Sequence, residues 1–233
     1  MERLITECYE FMKDCNLTYA FCGGYAIELF TNIKTRTHSD VDITLFSEDR
    51  KHIIDYILGK GWDVYEHLHS ENCLRKITNS NDERALNCFY VWAIKPNCSF
   101  FKIEPTPYED DIFSFEILDK EQTNFDFIDI IFNTRKNGEF ICDKEKNISR
   151  ELDKAILYRN NIPFLAPEVI LFLIANPAYL ESDYHREKNS LDFEFTSPLL
   201  SKESLEWLIN AIKKAYPEGN KRLEQIMALQ QIL

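Results

Sequence analysis

No apolar run in this sequence approaches the roughly 18 residues a membrane-spanning helix needs. No block of about five or six Lys and Arg residues is present, which argues against a general nucleic-acid-binding surface. The seven cysteines (Cys8, Cys15, Cys22, Cys73, Cys88, Cys98 and Cys142) contain no pair at CxxC spacing, and their number is odd. That excludes an obvious zinc site or disulfide frame and fits reduced thiols in a cytoplasmic protein. The N-terminal residues are charged and amphipathic and lack the apolar core of a signal peptide. Neither an internal repeat nor a low-complexity tract is visible.

What is present is enough for a packed core. Hydrophobic residues make up 45% of the 233 residues, with 17 Phe and 11 Tyr, so disorder is not expected. The length fits one to two domains. The net charge of −12 keeps such a chain soluble and also suits a cationic small-molecule partner.

The densest signal lies between Tyr19 and Phe46. An apolar strand over 17–22 runs into Gly23-Gly24, a helix follows over 25–32, and then comes a strand carrying Asp40 and Asp42, with residues 41–46 as its extended run. Two carboxylates separated by one residue on a strand point to the same face. Like charges held that close repel, and a hard divalent cation with oxygen ligands relieves the repulsion. A Gly-Gly turn at a helix N-terminus lets backbone approach a phosphate closely, where the helix favours an anion. Together these pieces point to a metal with a nucleoside triphosphate.

The rest of the chain reads as follows. Helical spacing covers 2–15, and Ser47 is placed to cap a helix through about Lys60 that ends at Gly59 or Gly61. Strands are expected over 62–68 and 73–78, with irregular strands in 86–118, broken by Pro96, Pro105 and Pro107. The apolar segment 125–132 has strand length and carries Asp126 and Asp129 on opposite faces. Asn137-Gly138 signals a hairpin turn with a return strand over 139–142. After about residue 148 the pattern becomes helical, with helices opening at Pro167 and Ser201 and a last one over 219–233. The expected organisation is an α/β domain over 1–148 and a helical domain over 149–233.

Gly-Gly, a helix and then Asp-hydrophobic-Asp resembles the signature of the DNA polymerase β-like nucleotidyltransferase superfamily. The run from Cys22 to Phe30, with Thr35 to Ile43, is similar to its bacterial small-molecule branch, which includes aminoglycoside 2''-nucleotidyltransferases and lincosamide nucleotidyltransferases. Residues 160–172 (NNIPFLAPEVILF) resemble that branch's Gly-Ile-Pro-Tyr-Leu-Ala-Pro-Glu segment, and residues 187–208 resemble its Lys-Asp-x-x-Asp-Phe segment and the helix after it. The resemblance implies an α+β fold, with a nucleotidyltransferase-type mixed sheet flanked by helices and followed by a C-terminal helical domain.

It also implies roles. Asp40 and Asp42 match the two metal-binding carboxylates, and counting back from Glu139-Phe140 selects Asp129 over Asp126 as the third. Gly23, Gly24 and Tyr25 would meet the β and γ phosphates, with Arg36 and Lys188 as further nucleotide contacts. Arg36 could instead pair with a carboxylate, and Lys188 could form an ion pair with Asp192 one turn on. Glu28 reads as a helix-face residue toward water or Arg36. Two departures from the branch stand out: Ile174 occupies a position that often holds Lys, and the Lys-Asp pair is Lys188-Asn189 here.

The implied reaction is Mg²⁺-dependent transfer of a nucleoside monophosphate from a triphosphate, ATP first among candidates, to a hydroxyl of a small molecule such as an aminoglycoside- or lincosamide-type antibiotic. One or two Mg²⁺ ions would take part and pyrophosphate would leave. A toxin-like transferase acting on protein or tRNA, and a non-catalytic nucleotide-binding relative, are the alternatives.

Overall fold

The computed structural model describes residues 2–68, 73–107, 109–119, 121–142, 147–178 and 183–230. In chain order the elements are α1 (Arg3–Met12), β1 (Ala20–Phe21), α2 (Gly23–Thr31), β2 (Asp42–Phe46), α3 (Arg50–Gly59), β3 (Asp63–Leu68), β4 (Cys73–Ile77), α4 (Glu83–Asn87), β5 (Tyr90–Ile94), β6 (Phe101–Pro105), β7 (Ile112–Ile117) and β8 (Phe127–Lys136). They continue with β9 (Glu139–Ile141), β10 (Ser149–Glu151), α5 (Leu152–Ala155), β11 (Ile156–Arg159), β12 (Ile162–Leu165), α6 (Pro167–Leu173), α7 (Asp183–Thr196), α8 (Lys202–Ala215) and α9 (Lys221–Gln230). The expected α+β class is what the chain adopts. No helix among the described residues is long and apolar enough to cross a membrane.

The chain forms two compact units. The first holds Met1–Phe21 and Arg36–Asn133, and the second holds Cys22–Thr35 and Thr134–Leu233.

In the first unit the strands run in the order β1-β2-β8-β5-β3-β4-β7-β6. β1 pairs antiparallel with β2, and β2 pairs parallel with β8. The pairs β8–β5, β5–β3, β3–β4, β4–β7 and β7–β6 are antiparallel, so the sheet is mixed. One face of its centre is wholly apolar: Ile43, Leu45, Val91, Ala93, Ile128, Ile130 and Phe132 are all fully buried. α1 and α3 each bury one apolar stripe, Leu4, Ile5, Cys8 and Met12 on the former and Ile53, Ile54 and Ile57 on the latter, as their helical spacing requires. α3 ends at Gly59, and just past its C-cap Lys60 the chain turns at Gly61, whose φ of +78° suits a residue without a Cβ. A 3-10 turn, Ser47–Asp49, precedes α3, and Ser47 makes no side-chain cap, so the expected cap is replaced by that turn.

The strands beyond β5 curl. Trp92 on β5 stacks on Phe101 of β6, with ring centroids 5.1 Å apart and an interplanar angle of 19°, although β3, β4 and β7 lie between them in the sheet. Phe127 on β8 meets the same ring edge-on at 4.9 Å. Strand twist accumulates across the sheet until β6 returns over β5 and β8. The enclosed core is aromatic: Tyr65, Trp92, Phe100, Phe101 and Phe127, with Leu74 and Ile94.

In the second unit, Asn137 and Gly138 take φ of +54° and +78° and close the β8–β9 hairpin, as the Asn-Gly signal predicts. The expectation of helix from about residue 148 needs correction. β10, β11 and β12 occupy much of 149–165, and α6 begins at Pro167. Asn160 and Asn161, with φ of +51° and +67°, make a tight turn between Ile156–Arg159 and Ile162–Leu165, which pair antiparallel. Asn tolerates this left-handed backbone, so Asn-Asn between two apolar runs is a hairpin signal.

α6 opens with Pro at its first turn and buries Glu168 among Val169, Ile170, Leu171 and Phe172. Arg150 reaches Glu168 at 2.7 Å, and its guanidinium lies 5.3 Å from the Trp207 ring centroid. Trp207 in turn donates its indole N–H to the Ser149 carbonyl at 3.1 Å, tying α8 to β10. Ser201 caps α8 by accepting from the Ser204 N–H at 3.1 Å, as expected. Of the expected last helix, Lys221–Gln230 is helical and residues 231–233 lie outside the described residues.

Candidate carboxylate site

β2 begins at Asp42, not before it, so Asp40 lies in a bend two residues ahead of the strand. Its carboxylate accepts a hydrogen bond from the Ser39 hydroxyl at 3.0 Å. The intervening Val41 is fully buried, and its carbonyl accepts from the Asp129 backbone N–H at 2.9 Å. This bond anchors the entry to β2 against β8.

The parallel ladder sets Asp42 opposite Asp129. Residues directly opposite on neighbouring strands share a face, with backbones about 4.8 Å apart. Both acids are half-buried, whereas their neighbours Ile43 and Ile130, on the other face, are fully buried. Two carboxylates from separate strands are thus brought to one half-open face. A pair of hard oxygen donors held side by side is the donor set that Mg²⁺ or Mn²⁺ takes.

Asp126 is placed differently. It precedes β8, is 8% exposed, and accepts from the Ser99 backbone N–H at 3.2 Å and from the Ser99 hydroxyl at 2.8 Å. Lys95 stands 3.9 Å from its other oxygen. These groups come from the loop between β5 and β6, so Asp126 fastens the point where the sheet curls back.

The row of side chains continues past Asp129. Trp92 stands opposite Asp129 on β5, and Tyr65 stands opposite Trp92 on β3. His67 lies against Trp92, with ring centroids 4.3 Å apart. Burial raises the Tyr65 hydroxyl to about 12, with a smaller push from Asp63, so it stays protonated at neutral pH.

The remaining expected site residues fall as follows. Arg36 is half-buried and donates to the Thr37 carbonyl at 3.2 Å. Gly23 and Gly24 form the first turn of α2 and do not precede it: the helix starts two residues earlier than expected, directly after Cys22. Gly23 takes φ of +58°, which a side chain would strain. A first helical turn carries backbone N–H groups without intrahelical partners, which is the feature that suits an anion. Tyr25 is 1% exposed, so its ring is packed in the core. Glu28, expected to face water or Arg36, is buried, so it does not face water. Lys188 and Asp192 lie one turn apart on α7, Lys188 half-buried and Asp192 buried. Ile174 caps the end of α6.

Sequence reasoning did not single out Thr44 and Asn133. Asn133 donates its side-chain N–H to the Thr44 hydroxyl at 2.9 Å, and both residues are buried. The available signal was a polar residue two positions after Asp42 in β2 and four after Asp129 in β8, on the same face as each acid.

No protein-family model matches the chain, and no curated protein matches it. Solved structures do. One is the solution structure of the antibiotic-resistance factor ANT(2'')-Ia, at 15% identity over 92% of this chain and 92% of that chain, with a TM-score of 0.49. A second is the crystal structure of ANT(2'')-Ia in complex with adenylyl-2''-tobramycin, at 14% identity over 91% and 99%, with a TM-score of 0.47. A third is the lincosamide antibiotic adenylyltransferase LnuA bound to lincomycin, at 12% identity over 82% and 96%, with a TM-score of 0.45.

Proposed function

We propose that this protein is a metal-dependent nucleotidyltransferase that moves a nucleoside monophosphate from a triphosphate to a hydroxyl of a small molecule. The observation that carries the reading is the parallel register of Asp42 against Asp129 on a half-open sheet face. Asp40, two residues upstream, completes the carboxylate set that the sequence resemblance assigns. ATP and an aminoglycoside- or lincosamide-type acceptor are the first candidates by that resemblance, and the cytoplasm is where triphosphate and Mg²⁺ are abundant.

Asp40, Asp42 and Asp129 would hold Mg²⁺. Bound there, the metal neutralises triphosphate oxygens and the oxygens that attack and leave the α-phosphorus. Three acids without a metal would repel both one another and a polyanionic nucleotide, which supports their reading as ligands. Asp129, half-buried on the strand, is the base we assign to the acceptor hydroxyl proton. Gly23, Gly24 and the Tyr25 N–H are assigned to the β and γ phosphates, and Arg36 and Lys188 to outer phosphate contacts. We further assign the transfer chemistry and the phosphate contacts of Gly23, Gly24, Tyr25 and Arg36 to residues 1–148, and acceptor recognition and cover over the nucleotide to residues 149–233. The acidic composition favours a cationic acceptor.

The test is pyrophosphate release from ATP, GTP, CTP and UTP with Mg²⁺, each against a panel of aminoglycosides and lincosamides. Release that requires both a nucleotide and one acceptor supports the reading and names the substrate. A protein that binds no nucleotide in the presence of Mg²⁺ contradicts it.

A further inference from the structure

The face of β2 and β8 opposite the carboxylates is apolar, whereas the carboxylate face mixes polar and apolar residues: Asp42, Thr44 and Phe46 on β2, and Phe127, Asp129, Ile131 and Asn133 on β8. Ile43 and Leu45 on one face of β2, and Thr44 and Phe46 on the other, are all buried, and β8 carries Phe127, Ile128, Ile130, Ile131 and Phe132. A row of interchangeable apolar side chains on one face does not by itself fix which residue meets which. A slip of two residues would keep every side chain on its own face and, on the apolar face, would only exchange one apolar neighbour for another. The same slip would move Asp42 away from Asp129 and set it against Phe127 or Ile131. The apolar pattern therefore does little to specify the pairing on which the carboxylate site depends.

The Thr44–Asn133 hydrogen bond supplies what the apolar pattern lacks. The ladder sets Thr44 opposite Ile131 and Phe46 opposite Asn133, so the 2.9 Å bond runs diagonally between the strands. It lies on the face that carries Asp42 and Asp129. Any slip breaks this diagonal geometry. Thr44 is 2% exposed and Asn133 4%, so surface water does not replace the bond between them; the Thr44 hydroxyl has, besides, only a long 3.5 Å approach to the Leu45 carbonyl. Leaving a buried polar group unmade is costly, which makes such a pair a register-specific penalty. A single buried polar contact that fixes register among apolar neighbours is the best-attested use of buried polarity.

We propose that Thr44 and Asn133 are positioning residues: their side-chain bond fixes the register that holds Asp42 opposite Asp129, and so sets the metal affinity of the carboxylate pair. The inference rests on the metal reading of those two acids.

The test is Mn²⁺ binding followed by electron paramagnetic resonance, beside thermal melts of the metal-free proteins. The variants are Thr44→Ser, Thr44→Val, Asn133→Leu and the double variant Thr44→Val/Asn133→Leu. Thr44→Ser keeps the hydroxyl and keeps wild-type affinity. Thr44→Val and Asn133→Leu weaken Mn²⁺ binding about tenfold or more, the range that supporting groups around metal ligands command. The double variant removes both polar groups, so its melt returns toward wild type while its Mn²⁺ affinity stays low. That separation of stability from affinity is the expected result. A double variant that binds Mn²⁺ like wild type overturns the positioning role and leaves the metal reading intact. A wild-type protein that binds no Mn²⁺, or an Asp42→Asn variant that binds it unchanged, overturns the metal reading and the inference with it.

Discussion

Ser99 grips Asp126 twice, through its backbone N–H at 3.2 Å and its hydroxyl at 2.8 Å. Asp126 and Asp129 lie three residues apart on one segment, yet they serve different ends. The first is occupied by the loop that closes the curled sheet, and the second stands on the open face opposite Asp42.

Substituting Asp126 should therefore cost stability and spare metal binding. Asp126→Ala leaves the Ser99 N–H and hydroxyl without their acceptor, an expected loss of about 1–3 kcal/mol. Urea denaturation measures it, and Mn²⁺ affinity in the same variant should stay within about twofold of wild type.

Asp42→Asn and Asp129→Asn should behave in the opposite way. Each removes a charged oxygen ligand and relieves like-charge repulsion in the metal-free protein. The melting temperature should hold or rise, while the rate of transfer falls by on the order of a thousandfold, about 4 kcal/mol of barrier. Circular dichroism melts and steady-state rates on the same preparations check both halves. Wild-type activity in Asp42→Asn would remove that residue from the site.

Arg150 and Glu168 form a buried ion pair at 2.7 Å, with side chains 9% and 3% exposed. Glu168→Ala leaves the buried guanidinium only the more distant, exposed Glu203 carboxylate at 3.8 Å, and the expected loss is about 3 kcal/mol, the low end for a broken buried pair. Equilibrium unfolding in urea gives the value directly.

Burial pushes the Cys88 thiol from 9.0 up to about 12, with a smaller contribution from Glu66. Below pH 9 the thiol keeps its proton in both folded and unfolded chains, and stability from this group is level. Between pH 9 and about 12 the unfolded thiol ionises while the folded one does not, so stability falls as pH rises. The slope from one such group is about 1.4 kcal/mol per pH unit. Cys88→Ala should flatten the unfolding free energy measured from pH 9 to 11 by that amount.

Several parts of this architecture were legible in the sequence because they depend on short-range chemistry. The Asn137-Gly138 hairpin, the Pro167 helix start and the Ser201 cap are local rules, and each element formed. Asp42 and Asp129 could be named from residue type and order, although their register is a property of pairing across the sheet. The strands β11 and β12 are legible only if Asn160-Asn161 is taken as a turn, and β10 depends on its pairing with β9, which local pattern does not encode. The aromatic curl that joins Trp92 to Phe101 is a product of accumulated twist, which no local pattern encodes. The grouping of α2 with the later chain is likewise set by packing and not by sequence order.

The most direct test of the central claim is the fate of the α-phosphorus. The protein is incubated with Mg²⁺, a candidate acceptor and triphosphate labelled at the α position, and acceptor and pyrophosphate are separated. Nucleotidyl transfer at Asp42 and Asp129 predicts that the α label joins the acceptor, that pyrophosphate leaves unlabelled, and that Asp129→Asn stops both. Transfer of the γ phosphate in place of the α phosphate, or label transfer undiminished in Asp129→Asn, would contradict the account.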